Sequence, residues 1–267
     1  MMATFFGEIS PLSSRAVDDE EIEDQPIYNL TVDSKEDCPV KIDCKLLVFS
    51  VDEISYAFVQ CYLVPDNTRR LFSINYSSNK DDVDYSLMYT GSKDQKSKVK
   101  NAAAVYSIDE NVIVCDIAPR VPAELYTELC DKLLDKVNCE EALILTSLPA
   151  ATFKSEGSQL FEKPFLKSVA TSKYLSIRSC SIPRLQAPNF LSNFAAAVLS
   201  VFEMKKKPAL CAINYVDSYL FDFAVVQNFD AIFNENLVVK LQANSDATSK
   251  LTKFMKQKVA AETNLYT

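Results

Sequence analysis

Residues 112–146 read VIVCDIAPRVPAELYTELCDKLLDKVNCEEALILT, and this stretch decides the fold class. Val112-Ile113-Val114-Cys115-Asp116-Ile117 is an apolar, β-branched run, as expected of a strand buried on both faces. Pro122 suits the first turn of a helix, where its missing N–H costs nothing. Leu125, Leu129, Leu133, Leu134 and Val137 then recur on one helical face, with Glu124 near the positive end of the helix dipole. Leu143-Ile144-Leu145-Thr146 follows as the next strand. A strand, a helix and a strand in this order predict a parallel pair with its crossover on one face.

Upstream, Cys44–Phe49 and Tyr56–Val64 read as buried strands, and Ala103–Tyr106 as another. Between them, Lys93, Lys96, Lys98 and Lys100 mark a polar loop. Downstream, Asn189 is the expected N-cap of a helix carrying Phe190, Leu191, Phe194, Ala195, Val198, Leu199 and Phe202, stopped at Pro208 after Lys205-Lys206-Lys207. Ala209–Val216 reads as a strand. Asp217 is the expected cap of a helix bearing Leu220, Phe223, Val226 and Phe229, and Leu237–Val239 reads as a short strand. A last helix, starting near Ser245, carries Leu251, Phe254, Met255 and Val259. The expectation is an α/β fold with a central mixed or mostly parallel sheet and helices on both faces. Residues 37–261 form its single-domain body, 1–36 a flexible acidic tail around Asp18–Asp24, and 262–267 a C-terminal docking tail.

The absences narrow the chemistry. No His is present, which removes Ser-His-Asp and Cys-His nucleophile pairs and the common catalytic zinc sites. Three scattered glycines, Gly7, Gly91 and Gly157, cannot build a phosphate-cradling loop. Carboxylate, lysine or thiol chemistry passes this filter. Asp116 sits at a strand end where α/β sheets often carry functional carboxylates, but no second carboxylate accompanies it in the sequence, so a structural loop start is the plainer reading. Eight cysteines contain no C-x-x-C pair, and several lie in apolar runs, as expected of free thiols in a reducing compartment. With 28 Lys and Arg against 36 Asp and Glu, the net charge of −8 disfavours nucleic acid as a main partner. No signal-peptide pattern or membrane-length apolar run is visible, so a cytoplasmic or nuclear location is expected. No catalytic residue, metal ligand or cofactor is assigned.

The candidate site is the end of the sequence. Leu265-Tyr266-Thr267 follows an amphipathic helix and the short spacer Glu262-Thr263-Asn264. By ordinary residue frequencies, a hydrophobic-Tyr-any ending arises by chance in about one chain per hundred, so the tripeptide alone decides nothing. Physically it makes a plug. The Thr267 carboxylate suits a lysine at a pocket base, the Tyr266 ring offers apolar area with a hydroxyl, and Leu265 fills an apolar rim.

That tail resembles the hydrophobic-tyrosine-any motif of proteasome-binding proteins. Met2–Glu8, Pro164-Phe165-Leu166-Lys167, Ala196–Ser200, and Lys207-Pro208-Ala209-Leu210 with Tyr215 and Asp217 resemble, in the same order, stretches of the proteasome assembly chaperone family. The resemblance implies a non-catalytic protein that works as a heterodimer with proteasome assembly chaperone 2. It further implies binding to the α-subunits of the 20S proteasome to promote α-ring formation, with Leu265, Tyr266 and Thr267 as the pocket-inserting tail. Two other readings compete with it: an α/β enzyme of nucleoside-phosphorylase-like type, and a generic adaptor whose tail meets another module.

Overall fold

The structure is a computed structural model that describes residues 27–34, 39–66, 68–78, 99–155, 163–217 and 222–263. The chain divides into two units, Leu30–Tyr76 with Val99–Thr267 and Met1–Asn29 with Ser77–Lys98. Of the second, only residues 27–29 and 77–78 are described; the rest of the sheet and all its helices belong to the first. The acidic cluster Asp18–Asp24 and Lys93, Lys96 and Lys98 lie outside the described residues.

One eight-stranded mixed sheet forms the body, in the order β1-β3-β4-β5-β2-β6-β8-β7. Its strands are β1 (Tyr28–Ser34), β2 (Ile42–Ser50), β3 (Arg70–Ser78), β4 (Lys100–Ser107), β5 (Val112–Ile117), β6 (Val137–Pro149), β7 (Phe165–Ala170) and β8 (Ala209–Val216). The four central strands β5, β2, β6 and β8 are parallel, while β4 and β3 on one side and β7 on the other run antiparallel to their neighbours. Sequence explains that division. Every residue of β5 and of β8 is buried, and all but Asp116 and Asn214 are apolar, as expected of central strands covered on both faces. The edge strand β7 buries one residue in six, Ser168.

Helices cover both faces. After β5, a 3-10 turn (Ala123–Leu125) leads into α2 (Tyr126–Lys136), which crosses over to β6 and packs beside α4 (Asn193–Met204). Phe194 of α4 meets Phe49 of β2 at 6.3 Å and Tyr126 of α2 at 5.5 Å between ring centroids. On the other face, Leu46, Val48, Val114, Leu143, Leu145 and Leu210 pack under α1 (Glu53–Phe58), the π-helical turn Val59–Leu63, α5 (Phe223–Gln227) and α6 (Ala247–Thr263). A short helix, α3 (Ser172–Ile177), follows β7.

Several sequence expectations are corrected. Tyr56–Leu63 of the segment read as a strand is helix, and Val64 is its extended C-cap: Asp52 accepts from the backbone N–H groups of Ile54 and Ser55 as N-cap, and Ser55 completes a capping box. The segment is apolar on all sides because it is buried on nearly all sides, which erases the periodicity that distinguishes helix from strand. β1 lies inside the stretch read as an N-terminal tail, and β3 and β7 add strands that the sequence reading did not place. α4 begins at Asn193 rather than after Asn189, whose side chain instead bonds the backbone N–H and C=O of Lys154 at 2.7 and 2.9 Å. Asp222, not Asp217, stands at the N-cap of α5, and Leu237–Val239 forms no strand. Lys206 takes the left-handed conformation (φ 53°) that ends α4, and the Lys207 ammonium donates to the Cys139 carbonyl at 2.8 Å.

Candidate functional site

The helix that precedes the candidate tail is tied firmly to the body. Leu251 of α6 is buried in the core, and the Phe254 ring meets that of Tyr56 on α1 at 6.1 Å. Two lysines brace it: Lys250 pairs with Asp66 at 2.8 Å and donates to the Val64 carbonyl at 3.2 Å, and Lys258 pairs with Glu53 at 2.7 Å. Asn244, just before the helix, donates its backbone N–H to the Tyr62 carbonyl at 2.8 Å and its side-chain amide to that of Val64 at 3.0 Å. The helix runs on through Glu262 and Thr263, the first two residues of the segment read as spacer. Leu265, Tyr266 and Thr267 lie outside the described residues.

A second site is built by the topology. β2 and β5 are parallel neighbours, but β2 leads into α1 on one face and β5 into α2 on the other. A crevice opens where two such connections part, at the carboxyl ends of the strands. Here the cleft has a volume of about 340 Å³ and is lined by residues of α1, β4, the end of β5 and α6, with Asp116 and Tyr56 among them. Asp116, near the end of β5, is 6% exposed. The Ser50 hydroxyl at the end of β2 donates to one of its oxygens at 2.5 Å, and the Gln60 amide from the π-helical turn donates to the other at 2.5 Å. Burial pushes the Asp116 carboxyl up to about 6, with the two donors opposing the shift. Tyr56 and Tyr106 are held above the usual phenol value by burial and by the Asp116 charge.

Sequence reasoning placed Asp116 correctly at a strand end but saw no companion carboxylate. The companions are Asp52 and Glu53, which line the same cleft from a segment more than sixty residues earlier. The missed signal was the Asp52-x-x-Ser55 cap, which starts a helix at the end of β2.

Thiol chemistry finds no support at the seven described cysteines. Cys115 is fully buried, and burial, the Asp116 charge and Cys130 all push its thiol upward. Burial likewise raises Cys44, Cys61, Cys130, Cys139, Cys180 and Cys211, the reverse of what activates a nucleophile. Among the described residues no cluster of three His, Cys, Asp or Glu could hold a metal, and no helix is long and apolar enough to cross a membrane.

A mixed sheet with helices on both faces defines an α/β body whose fold recurs in solved archaeal structures. The chain resembles PbaA of Pyrococcus furiosus, an archaeal homolog of proteasome-assembly chaperone, at a TM-score of 0.54 and 10% identity over 90% of this chain and 93% of that one. It resembles PbaB of Pyrococcus furiosus, an archaeal proteasome activator, at a TM-score of 0.51 and 14% identity, over 90% and 99%. In sequence, the family model described as Proteasome assembly chaperone 4 matches residues 26–267, so the chain belongs to the proteasome assembly chaperone family. Its relatives include Proteasome assembly chaperone 1 of Xenopus laevis, 25% identical over 91% of this chain and 92% of that protein. Its counterpart in Xenopus tropicalis is 23% identical over 99% and 100%.

The structure places the stretches on which the resemblance was read. Phe165-Leu166-Lys167 opens β7, Ala196–Ser200 lies within α4, and Ala209-Leu210 opens β8. These elements build the sheet and one of its helical layers, so these stretches belong to the scaffold.

Proposed function

We propose that the protein is a non-catalytic chaperone of 20S proteasome assembly that pairs with proteasome assembly chaperone 2 and promotes α-ring formation. Leu265, Tyr266 and Thr267 enter a pocket on an α-subunit, and the rigid body supplies the second contact that a three-residue plug needs to hold. The observation that supports the tail's part is the bracing of α6. A helix pinned at Leu251, Lys250, Phe254 and Lys258 presents its carboxyl end from a fixed position, which lowers the ordering cost of insertion. The seven described cysteines, free and all but Cys180 buried, suit work in a reducing compartment, the cytoplasm and also the nucleus.

The test is affinity capture of the tagged full-length chain beside one lacking Leu265-Tyr266-Thr267, with mass spectrometry of the bound proteins. The full chain is expected to bring down proteasome assembly chaperone 2 and 20S α-subunits. The shortened chain should keep the chaperone and lose most of the α-subunits. Equal recovery of α-subunits by both removes the tail from the mechanism, and recovery by neither overturns the assembly role.

A further inference from the structure

We propose that the cleft at the carboxyl ends of β2 and β5 binds an organic cation, a guanidinium or primary ammonium on a short alkyl stem. Its charge lies against the Asp116 carboxylate and its stem along the wall that Tyr56, Tyr106 and Phe254 line.

Charge selects the sign of the ligand. Asp52, Glu53 and Asp116 line the cleft, and no Lys or Arg among the described residues does. Two of these carboxylates are already committed. Lys258 answers Glu53 at 2.7 Å, and Asp52 accepts three backbone N–H groups, from Ile54, Ser55 and Ser147. Asp116 differs from both. Each of its oxygens takes one neutral donor, and among the described residues no cation lies in ion-pair range of it. A carboxylate oxygen accepts two hydrogen bonds, so a second site remains on each. A charge buried at 6% exposure without a counter-ion is costly, and an arriving cation relieves that cost.

Shape and wall chemistry select the kind of cation. Metal is disfavoured because the described residues offer no three-ligand cluster. Tyr56 and Phe254, with ring centroids 6.1 Å apart, line the cleft together with Tyr106 on β4, and aromatic walls of this kind suit guanidinium and ammonium groups with their stems. A volume of about 340 Å³ holds on the order of ten non-hydrogen atoms. That accommodates an arginine-sized group. The switch-point position adds independent support, because it depends on strand connectivity and not on which side chains line the cleft.

The experiment titrates the full chain with N-butylguanidine and, separately, with its neutral isostere N-butylurea at pH 7.5, following binding by calorimetry and by aromatic side-chain NMR. The guanidinium is expected to bind with a Kd on the order of 1 mM and to shift Tyr56, Tyr106 and Phe254 resonances, with the urea about tenfold weaker or worse. Asp116→Asn should weaken guanidinium binding about tenfold, and Tyr56→Leu, on a half-exposed ring, should weaken it less. Equal affinity for the urea, shifts elsewhere on the protein, or no binding overturns the proposal, and the first and last outcomes need no variant. A capped pentapeptide with a central arginine then separates two sources of the same chemistry. Matching affinity assigns the cation to a partner protein's side chain, and exclusion of the peptide assigns it to a free small molecule. Because the titration uses the chain alone, its failure leaves the α-ring capture experiment untouched.

Discussion

Two carboxylates are buried in the same sheet and handled in opposite ways. Glu141, in the amino-terminal half of β6, is 1% exposed; Asp116, at the carboxyl end of β5, is 6% exposed. Glu141 is met by the Arg178 guanidinium at 2.8 Å and by the Val238 N–H at 3.3 Å. Among the described residues, Asp116 is met by a hydroxyl and an amide and by no cation. Burial raises both, and at Glu141 the nearby Arg178 charge is the main opposing effect. The first arrangement answers the buried charge with a counter-charge. It ties β6 to the residue after α3 and to the 236–238 segment, since Arg178 also donates to the Asn236 carbonyl at 3.1 Å. The second leaves a net negative charge facing a cleft, which structure alone does not require.

Breaking the closed pair is the largest effect expected. Arg178→Ala strands the Glu141 carboxylate in the core and should cost about 3 kcal/mol or more in urea unfolding. Replacing both partners with apolar residues of similar size, Glu141→Leu with Arg178→Met, should cost distinctly less, because no charge is left unpaired. A loss for Arg178→Ala of about 0.5 kcal/mol, typical of a surface pair, would erase the contrast with Asp116.

Asp116 should show its state through pH. Its folded value of about 6 lies above the ordinary 3.8, so between those limits the folded protein holds a proton that the unfolded chain has released. The contribution of Asp116 to stability is therefore most favourable below about pH 4, falls as pH rises through about 6, and is level above that. The shift is worth about 3 kcal/mol at most. The ionisable groups around it are Asp52 and Glu53 on α1, the phenols of Tyr56 and Tyr106, and the Cys115 thiol; the phenols and the thiol stay neutral throughout this range. Asp116→Asn removes the one titration, so the stability difference between variant and parent should drift with pH from 4 to 6.5 and then flatten. A difference independent of pH would mean that Asp116 titrates normally and that the cleft carries no uncompensated charge.

The contrast between the two carboxylates was half legible in the sequence. The central strands were, because parallel strands buried on both faces read as apolar runs, and Val112–Ile117 and Ala209–Val216 were found at their observed limits. Asp116 stood out as the polar end of such a run. Its companions did not, because α1 and the π-helical turn are apolar on nearly every side and mimic a strand at Tyr56–Val64. Misreading that helix hides Gln60 as a donor and Asp52 and Glu53 as cleft walls. Glu141 was invisible for a different reason. Its partner Arg178 lies beyond β7 and α3, where nothing in the sequence spacing brings the two together. The tail was the most legible feature of all as a motif, and the structure describes the helix that leads to it rather than the tail itself.

Glu235 offers the finest test of what closes a buried carboxylate. At 6% exposure it is served by Ser181 and Ile182: its Oε1 accepts the Ile182 N–H at 3.0 Å, the Ser181 N–H at 3.1 Å and the Ser181 hydroxyl. These donors are all neutral, and they are backbone N–H groups and a hydroxyl fixed by the loop after α3. If fixed donors suffice, Glu235 belongs with Glu141 as a structural carboxylate, and Glu235→Gln should cost about 1–2 kcal/mol of stability. The amide keeps one accepting oxygen but turns an N–H₂ toward donors that already need an acceptor. The same variant should leave butylguanidine affinity unchanged, which separates its effect from that of Asp116→Asn. A Glu235→Gln protein as stable as its parent would show that neutral donors do not by themselves hold a buried carboxylate in place. Asp116, held by two neutral donors as well, would then depend on its cleft-facing charge being met by a ligand more than on Ser50 and Gln60.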